Sequence, residues 1–399
     1  MSQSVRDDLA DPEFHANPHP VYADWRREGP VRPARMANGM VVWLVTRYDE
    51  ARRALSDPRL SKVRGGLTTL TGDIERALSS HMLAVDPPDH TRLRRLVSAA
   101  FTARRVEALR PRIAEITDEL LDQIAARDPV EPFDLIDAFA FPLPIQVICE
   151  LLGIPADDRD DFRNWSNIIV GGVAYQSEFP GAAVAMVAYI RDLLAARRTG
   201  PGDDLLSGLI EVRDSEDRLT EDELISMVFL LLIAGHETTV NLIGNGAALL
   251  LARRERWASL RADLSLLPTA IEEFLRYEAP VETATFRVTT EPVTIGDQLV
   301  PAGAQVVIGL LSANRDETRF PDPDTLRLDR DQNPHLAFGH GIHYCIGAPL
   351  ARLEAQIAFT GLLTRFPSLR LAVPESELTW RPGLLLRGLF TLPVTVGPE

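Results

Sequence analysis

The residues from Thr220 to Arg253 constrain this chain more than any others. They read as one long helix that is apolar nearly all round from Leu224 to Ala234, so no face of it can be left to water and the rest of the chain has to bury it. Thr220 followed by Glu223 marks the start as a capping box, in which each side chain bonds the other residue's backbone N–H. Inside the buried run stands Ala234-Gly-His-Glu-Thr-Thr239, a glycine and four polar side chains opposed by both propensity and burial cost. One reading is a kink whose hydroxyls bond back to freed carbonyls; the other is chemistry. A zinc-protease helix is excluded, because the position that needs its second histidine holds Val240.

Around this helix the chain reads as mainly α with a small β region. Val31 to Arg35 and Val41 to Thr46 flank Asn38-Gly39, a hairpin turn signal, and Tyr48 to Leu55 is a helix closed by Pro58. Ser61 to Ser80 contains glycines and little periodicity, and such irregular stretches are often functional, so it is a candidate substrate contact. Asp86-Pro-Pro-Asp-His90 opens a helix that puts His90 and Arg94 on one face, a spacing that usually means a solvated face. From Val106 to Gly153 helix follows helix, with Pro142 and Pro144 breaking the run, and Trp165 to Ala185 reads as an inter-helix loop able to act as a lid. Val281 to Arg287 is extended, Val293 to Ile295 and Val300 to Ile308 continue the sheet around Pro301-Ala-Gly303, and the last strands fall around Leu384 to Val396. No repeat or low-complexity tract divides the chain, and residues 1–399 are expected to form a single domain.

At 45% hydrophobic and 25% charged, the composition excludes disordered and fibrous classes. A net charge of −15 argues against non-specific nucleic-acid binding. Two cysteines exclude a disulfide scaffold and make a reducing cytoplasm the expected location. The first residues carry no basic or apolar leader, and the apolar run from Met227 to Gly235 falls short of the ~18 residues of a membrane span, so no membrane association is expected. Cys149 lies in an apolar helix and reads as packing.

Cys345 reads differently. It stands in Phe338-Gly-His-Gly-Ile-His-Tyr-Cys345-Ile-Gly347-Ala-Pro349, a glycine-rich loop directly before a helix carrying Leu350, Leu353, Ile357 and Leu362 at amphipathic spacing. Backbone N–H groups and the helix N-terminus lower a thiol's pKa and hold a thiolate, which is a metal ligand or a nucleophile; a small buried hydrophobe is the competing reading. A dinucleotide loop is excluded because Tyr344 occupies its third glycine position, and no second cysteine is near enough for zinc or for covalent haem attachment.

The residues resemble the haem-binding loop of cytochromes P-450, Phe-x-x-Gly-x-x-x-Cys-x-Gly, with Phe338, Gly341, Cys345 and Gly347 at its fixed positions. The buried helix carries a second match, since Gly235-His-Glu237-Thr238 is similar to that family's oxygen-activation motif, Ala-Gly-x-[Asp/Glu]-Thr. A third is Glu273-x-x-Arg276, for which Arg330 is the candidate partner. The resemblance runs along essentially the whole chain and implies the P-450 fold, with the long helix crossing over a haem b (iron protoporphyrin IX).

It further implies that Cys345 is the axial thiolate of the iron and that His90, Arg94, Arg287 and His343 hold the propionates, with Phe338 and Gly347 against the sulfur. Gly235 lets the helix open for dioxygen, Thr238 hydrogen-bonds the activated oxygen and Glu237 relays protons, while Glu273, Arg276 and Arg330 support the cysteine loop. The implied activity is a haem-thiolate monooxygenase that hydroxylates or epoxidises a bulky hydrophobic molecule, a secondary metabolite such as a polyketide or macrolide, terpenoid or steroid. Dioxygen and electrons from a ferredoxin and its reductase supply the reaction, and the enzyme is expected to be a monomer. Arg92, Arg95, Arg104 and Arg105 form a candidate docking patch for the ferredoxin. Candidate pocket residues are Leu232, Ile233, Val281, Thr285, Leu389 and Phe390, together with the loop to Met82 and the lid from Val170 to Phe179. A peroxide-driven enzyme or a haem sensor or carrier are the alternatives.

Overall fold

The computed structural model describes residues 9, 11–63, 72–155, 158–170, 175, 177–202, 204–213 and 219–397. The chain divides into two compact units: Met1–Gly65 with Thr117–Ala140 and Thr238–Glu399, and Gly66–Ile116 with Phe141–Glu237.

All the strands described belong to the first unit: β1 (Val31–Arg35), β2 (Val41–Val45), β3 (Leu60–Ser61), β4 (Phe133–Asp134), β5 (Arg287–Thr289), β6 (Val293–Ile295), β7 (Gln298–Val300), β8 (Gln305–Ile308), β9 (Arg370–Leu371) and β10 (Pro393–Thr395). The Asn-Gly turn closes β1 on β2, with Gly39 at φ +82°, a conformation glycine adopts without strain. β2 pairs in parallel with β8, and the sheet runs in the order β1-β2-β8-β5-β3. One face of it is buried under Tyr48, Ala51 and Leu55 of the helix Tyr48–Ser56, with Leu310, Phe320 and Leu336 closing the core. Helices Leu267–Tyr277 and Ala348–Arg365 complete this unit's framework. The latter is buried at Leu350, Leu353, Glu354, Ala355, Phe359 and Leu363 and exposed at Pro349, Thr360, Thr364 and Arg365, so it buries one face, as its leucine spacing predicts.

The second unit is helical among the described residues: Asp73–Ser79, Asp89–Ala100, Ala103–Ala108, Pro142–Leu152, Arg159–Val170, Phe179–Thr199 and Leu205–Arg213. The long helix runs from Glu221 to Leu251, changing unit after Glu237. Both bonds of its capping box are made: the Thr220 N–H donates to Glu223 Oε2 at 2.8 Å and the Glu223 N–H to Thr220 Oγ1 at 3.2 Å.

Several sequence expectations change. Pro142 and Pro144 sit in the first turn of a helix, where a missing N–H costs nothing, and a short strand and a π-helical turn at Ile136–Ala140 precede them. The irregular stretch from Ser61 contains the helix Asp73–Ser79, while residues 64–71 lie outside the described set. The expected lid narrows, because helices reach Val170 from one side and start at Phe179 on the other; of its residues, 171–174 and 176 lie outside the described set. The carboxy-terminal segment forms only Pro393–Thr395 and isolated bridges, Val281 to Leu386 and Trp380 to Leu389. Helices Phe179–Thr199 and Glu221–Leu251 are each long and apolar enough to cross a membrane by length and composition; 67% of the second one's apolar window is buried inside the protein, as in a core helix.

Candidate functional site

In the first unit the cysteine loop is held from several sides. Gly339 and Gly341 have φ of +73° and +75°, and a Cβ on Gly341 would come within 2.9 Å of Ser56 Oγ and 3.1 Å of the Leu55 carbonyl, so both left-handed backbone and close approach demand glycine there. The Cys345 N–H donates to the Phe338 carbonyl at 2.9 Å, closing the loop on itself. Cys345 is exposed, and a Cβ on Gly347 would lie 3.8 Å from its sulfur. The helix Ala348–Arg365 starts three residues beyond, and its N-terminus favours negative charge on that sulfur.

Two ionic clusters anchor the loop's flanks. Glu273 accepts from Nε and Nη2 of Arg276, both at 2.8 Å, from Arg330 Nε at 2.9 Å, from Asn333 at 3.1 Å and from the Arg327 N–H at 2.9 Å. Glu272 accepts from Arg352 at 2.6 and 2.7 Å and pairs with His335 at 3.0 Å, and the Arg352 guanidinium lies 4.5 Å from the centre of the Phe338 ring. Burial pushes the Glu272 carboxyl up, but the bonds from Arg352 and His335 outweigh it and bring it down to about 2. The Glu273–Arg276–Arg330 grouping was legible from a motif. The Glu272–Arg352 pair was not, since its members are far apart in sequence and only the fold brings them together.

Arg287 is buried at the start of β5, with Nη1 3.5 Å from the Leu60 carbonyl. Near it Lys62, the sole lysine, donates to the Thr285 carbonyl at 2.9 Å and also bonds the Thr285 hydroxyl. Thr285, expected as a pocket residue, is therefore engaged by a buried cation that sequence reasoning passed over. His343 is partly buried in a turn of 3-10 helix, Gly341–His343. Among the other pocket candidates of this unit, Val281 is partly buried, Leu389 is fully packed and Phe390 is 47% exposed.

In the second unit His90 is buried and Arg94 partly so on helix Asp89–Ala100. Arg92, counted in the candidate docking patch, is ion-paired with Glu223, which weakens its contribution to a free basic surface. A Cβ on Gly235 would fall 2.8 and 2.9 Å from side-chain carbons of Ile148, so this glycine lets two helices approach closely as well as breaking the apolar run. Glu237 and His236 are 1% and 0% exposed. Leu232 is fully buried, and Ile233 is partly accessible.

Along the long helix Ile233, Ala234, Gly235 and Thr238 stay accessible, whereas Leu231, Leu232, His236, Glu237, Thr239 and Val240 are buried. The first four are the accessible positions within the run Leu231–Val240. Among the described residues no cluster of three or more His, Cys, Asp and Glu could hold a metal, so a metal at Cys345 has to arrive with its own further ligands. An iron porphyrin meets that requirement, and a soft thiolate suits iron. The residues present fit such a group.

A cavity of about 980 Å³ opens elsewhere in the first unit, beside His19, Asn245, Glu278, Arg315 and Arg387, and contains none of the residues above. Its charged floor is internally paired: Arg387 donates to Glu278 at 2.8 Å, and His19 bonds Glu278 at 2.9 Å. Burial drives the His19 imidazole down to about 4, so at neutral pH it is a neutral partner of an ionised Glu278.

The family model described as "Cytochrome P450" matches residues 181–387. Cytochrome P450 107B1 of Saccharopolyspora erythraea is 54% identical over 97% of both chains. Cytochrome P450 monooxygenase PikC of Streptomyces venezuelae is 49% identical over 96% of this chain and 92% of its own. The tirandamycin C-bound P450 monooxygenase TamI superposes with a TM-score of 0.90 at 49% identity, covering 97% of this chain and 99% of that one.

Proposed function

Because this chain belongs to the cytochrome P450 family, whose members are haem-dependent monooxygenases drawing on a substrate, dioxygen and redox partners, we propose that it oxidises a bulky hydrophobic secondary metabolite of the polyketide or macrolide kind. The observation that carries the reading is the exposed thiol of Cys345, held in a loop that two ionic clusters anchor and that leads directly into a helix. Relatives of similar sequence support the substrate class: 6-deoxyerythronolide B hydroxylase is 46% identical, and mycinamicin IV hydroxylase/epoxidase is 44% identical.

In this reading Cys345 holds haem b, with Phe338 and Gly347 beside the sulfur. His90, Arg94, Arg287 and His343 donate to the propionates, where charge-assisted bonds are strongest. When bound, the haem supplies the oxidising chemistry that inserts one atom of dioxygen into the substrate and releases the other as water. Thr238 donates a hydrogen bond at the accessible stripe, Glu237 passes protons inward from a buried position, and Gly235 keeps the stripe open. Glu273, Arg276 and Arg330 fix the loop. Leu232, Ile233, Val281, Thr285, Leu389 and Phe390 are the candidate substrate contacts. Electrons come from a ferredoxin and its reductase. Residues 1–399 act as one catalytic domain, monomeric and cytoplasmic.

The test compares the wild type with Cys345→Ala. The reduced carbon monoxide form of the wild type absorbs at the position given by a thiolate ligand, and the variant loses that band. A variant that keeps it would remove the assignment. Optical titration with macrolides and related polyketides then checks the substrate class, since binding in the pocket displaces water and shifts the spectrum; a panel that leaves it unmoved counts against the class.

A further inference from the structure

In the first unit the antiparallel pairing of β3 with β5 sets Leu60 opposite Thr289 and Ser61 opposite Val288. One residue beyond this ladder stands Lys62, 5% exposed, whose side chain runs along the segment that leads into β5. Its Nζ donates to the Thr285 carbonyl at 2.9 Å, to the Phe286 carbonyl at 3.3 Å and to the Thr285 hydroxyl oxygen.

The third of these bonds has a direction. An ammonium has hydrogens and no lone pair, so Thr285 Oγ1 accepts and its own hydrogen points elsewhere. Neighbouring threonines use that hydrogen inside the fold: Thr283 donates to the Leu384 carbonyl at 2.8 Å and Thr289 to the Pro301 carbonyl at 2.6 Å. Thr285 makes no such donation among the described residues, and it stays partly accessible. A threonine hydroxyl ordinarily rotates to donate or to accept, as its partner demands. Here Lys62 occupies it as an acceptor, which leaves donation as its outward role, and a hydroxyl that accepts from a cation is polarised into a stronger donor. A lysine serving only to clip β3 to this segment needs the two carbonyls and has no use for the hydroxyl.

We propose that Lys62 is a positioning residue that fixes Thr285 as a one-way hydrogen-bond donor, so that the substrate presents an acceptor oxygen, a carbonyl or an ether, to the Thr285 hydroxyl. A group able only to donate meets another donor there and is selected against, because both hydrogens then lack a partner. Macrolactones carry acceptor oxygens of this kind. The inference rests on the reading of Thr285 as a substrate contact.

Because the chain has a single lysine, the contact can be observed directly. Full-length holoenzyme labelled with 15N-lysine, in its diamagnetic reduced carbon monoxide form, should give one side-chain signal at the ammonium position, and Thr285→Val should move it. A neutral-amine signal, or one indifferent to Thr285→Val, overturns the proposal. Specificity is read by optical titration with a macrolactone and with fluorene, a hydrocarbon that has no acceptor oxygen. Thr285→Val keeps the volume and removes the hydroxyl, so macrolactone affinity should fall about fivefold, the weight of one hydrogen bond, while fluorene affinity stays as it was and Thr285→Ser restores the macrolactone. A merely structural clip would move both probes alike or neither, and either result refutes the donor role. Changed haem-propionate bands in the resonance Raman spectrum of probe-free Thr285→Val would make a propionate the acceptor and overturn the assignment to substrate. If no macrolactone shifts the wild-type spectrum, the substrate class fails and takes this inference with it. If macrolactones bind wild type and Thr285→Val equally, the substrate class stands and the inference alone is refuted.

Discussion

Replacing Glu273 by glutamine keeps its volume and tests whether a buried carboxylate organises the cysteine loop. Oε2 accepts from Arg276 Nε, Arg330 Nε and Asn333 Nδ2, and Oε1 accepts from Arg276 Nη2 and the Arg327 N–H. Whichever way the new amide turns, its NH2 faces at least two donors. The charge also disappears between two buried guanidiniums, Arg276 at 0% and Arg330 at 4% exposure. Removing one member of a buried pair costs about 3–5 kcal/mol, most of it the desolvated charge left behind. The expected result is a loss of that size in urea unfolding followed by tryptophan fluorescence. Because Arg330 and Asn333 lie just before the loop Phe338 to Cys345, the haem absorbance should fall at lower urea than the fluorescence. A loss under about 1 kcal/mol would mean that the carbonyls of Asn314, Pro321 and Pro323, which also accept from these guanidiniums, satisfy them without the carboxylate, and would refute the reasoning.

Two further perturbations test the packing and the buried acids. Burial raises Glu282 to about 7, although it accepts a hydrogen bond from the Tyr22 hydroxyl at 2.7 Å. A folded pKa above the unfolded one means stability present below about 4.5 and lost as pH rises through about 7, so Glu282→Gln should gain on the wild type by about 3 kcal/mol between those limits, read from denaturation at a series of pH values. A Cβ on Gly246 would lie 2.7 Å from Phe359 and 2.9 Å from Phe274, so Gly246→Ala should lower stability by about 1–3 kcal/mol despite alanine's better helix propensity; a stabilised variant would show that the rings can move aside.

Much of this was legible in the sequence because it is local. A capping box, an Asn-Gly hairpin and a glycine-rich loop before a helix each depend on neighbours within a few positions, and each forms as read at Thr220, Gly39 and Gly341; the helix apolar on every side is buried from Leu224 to Val228 and at Leu231 and Leu232 but leaves Ile233 and Ala234 accessible. The cysteine loop, the glycine-acid-threonine run and the Glu-x-x-Arg pair are spaced within one element, so they pointed to a family without coordinates. Tertiary structure decided what no spacing encodes. It put Arg352 on Phe338 and Glu272, Lys62 on Thr285, Ile148 against Gly235 and Ser166 on His236. It also buried Leu389 while leaving Phe390 exposed. The reason is that periodicity shows which residues share a face, whereas only the packed chain determines what that face meets, and a polar side chain in a buried helix takes its chemical role from the partner it finds there.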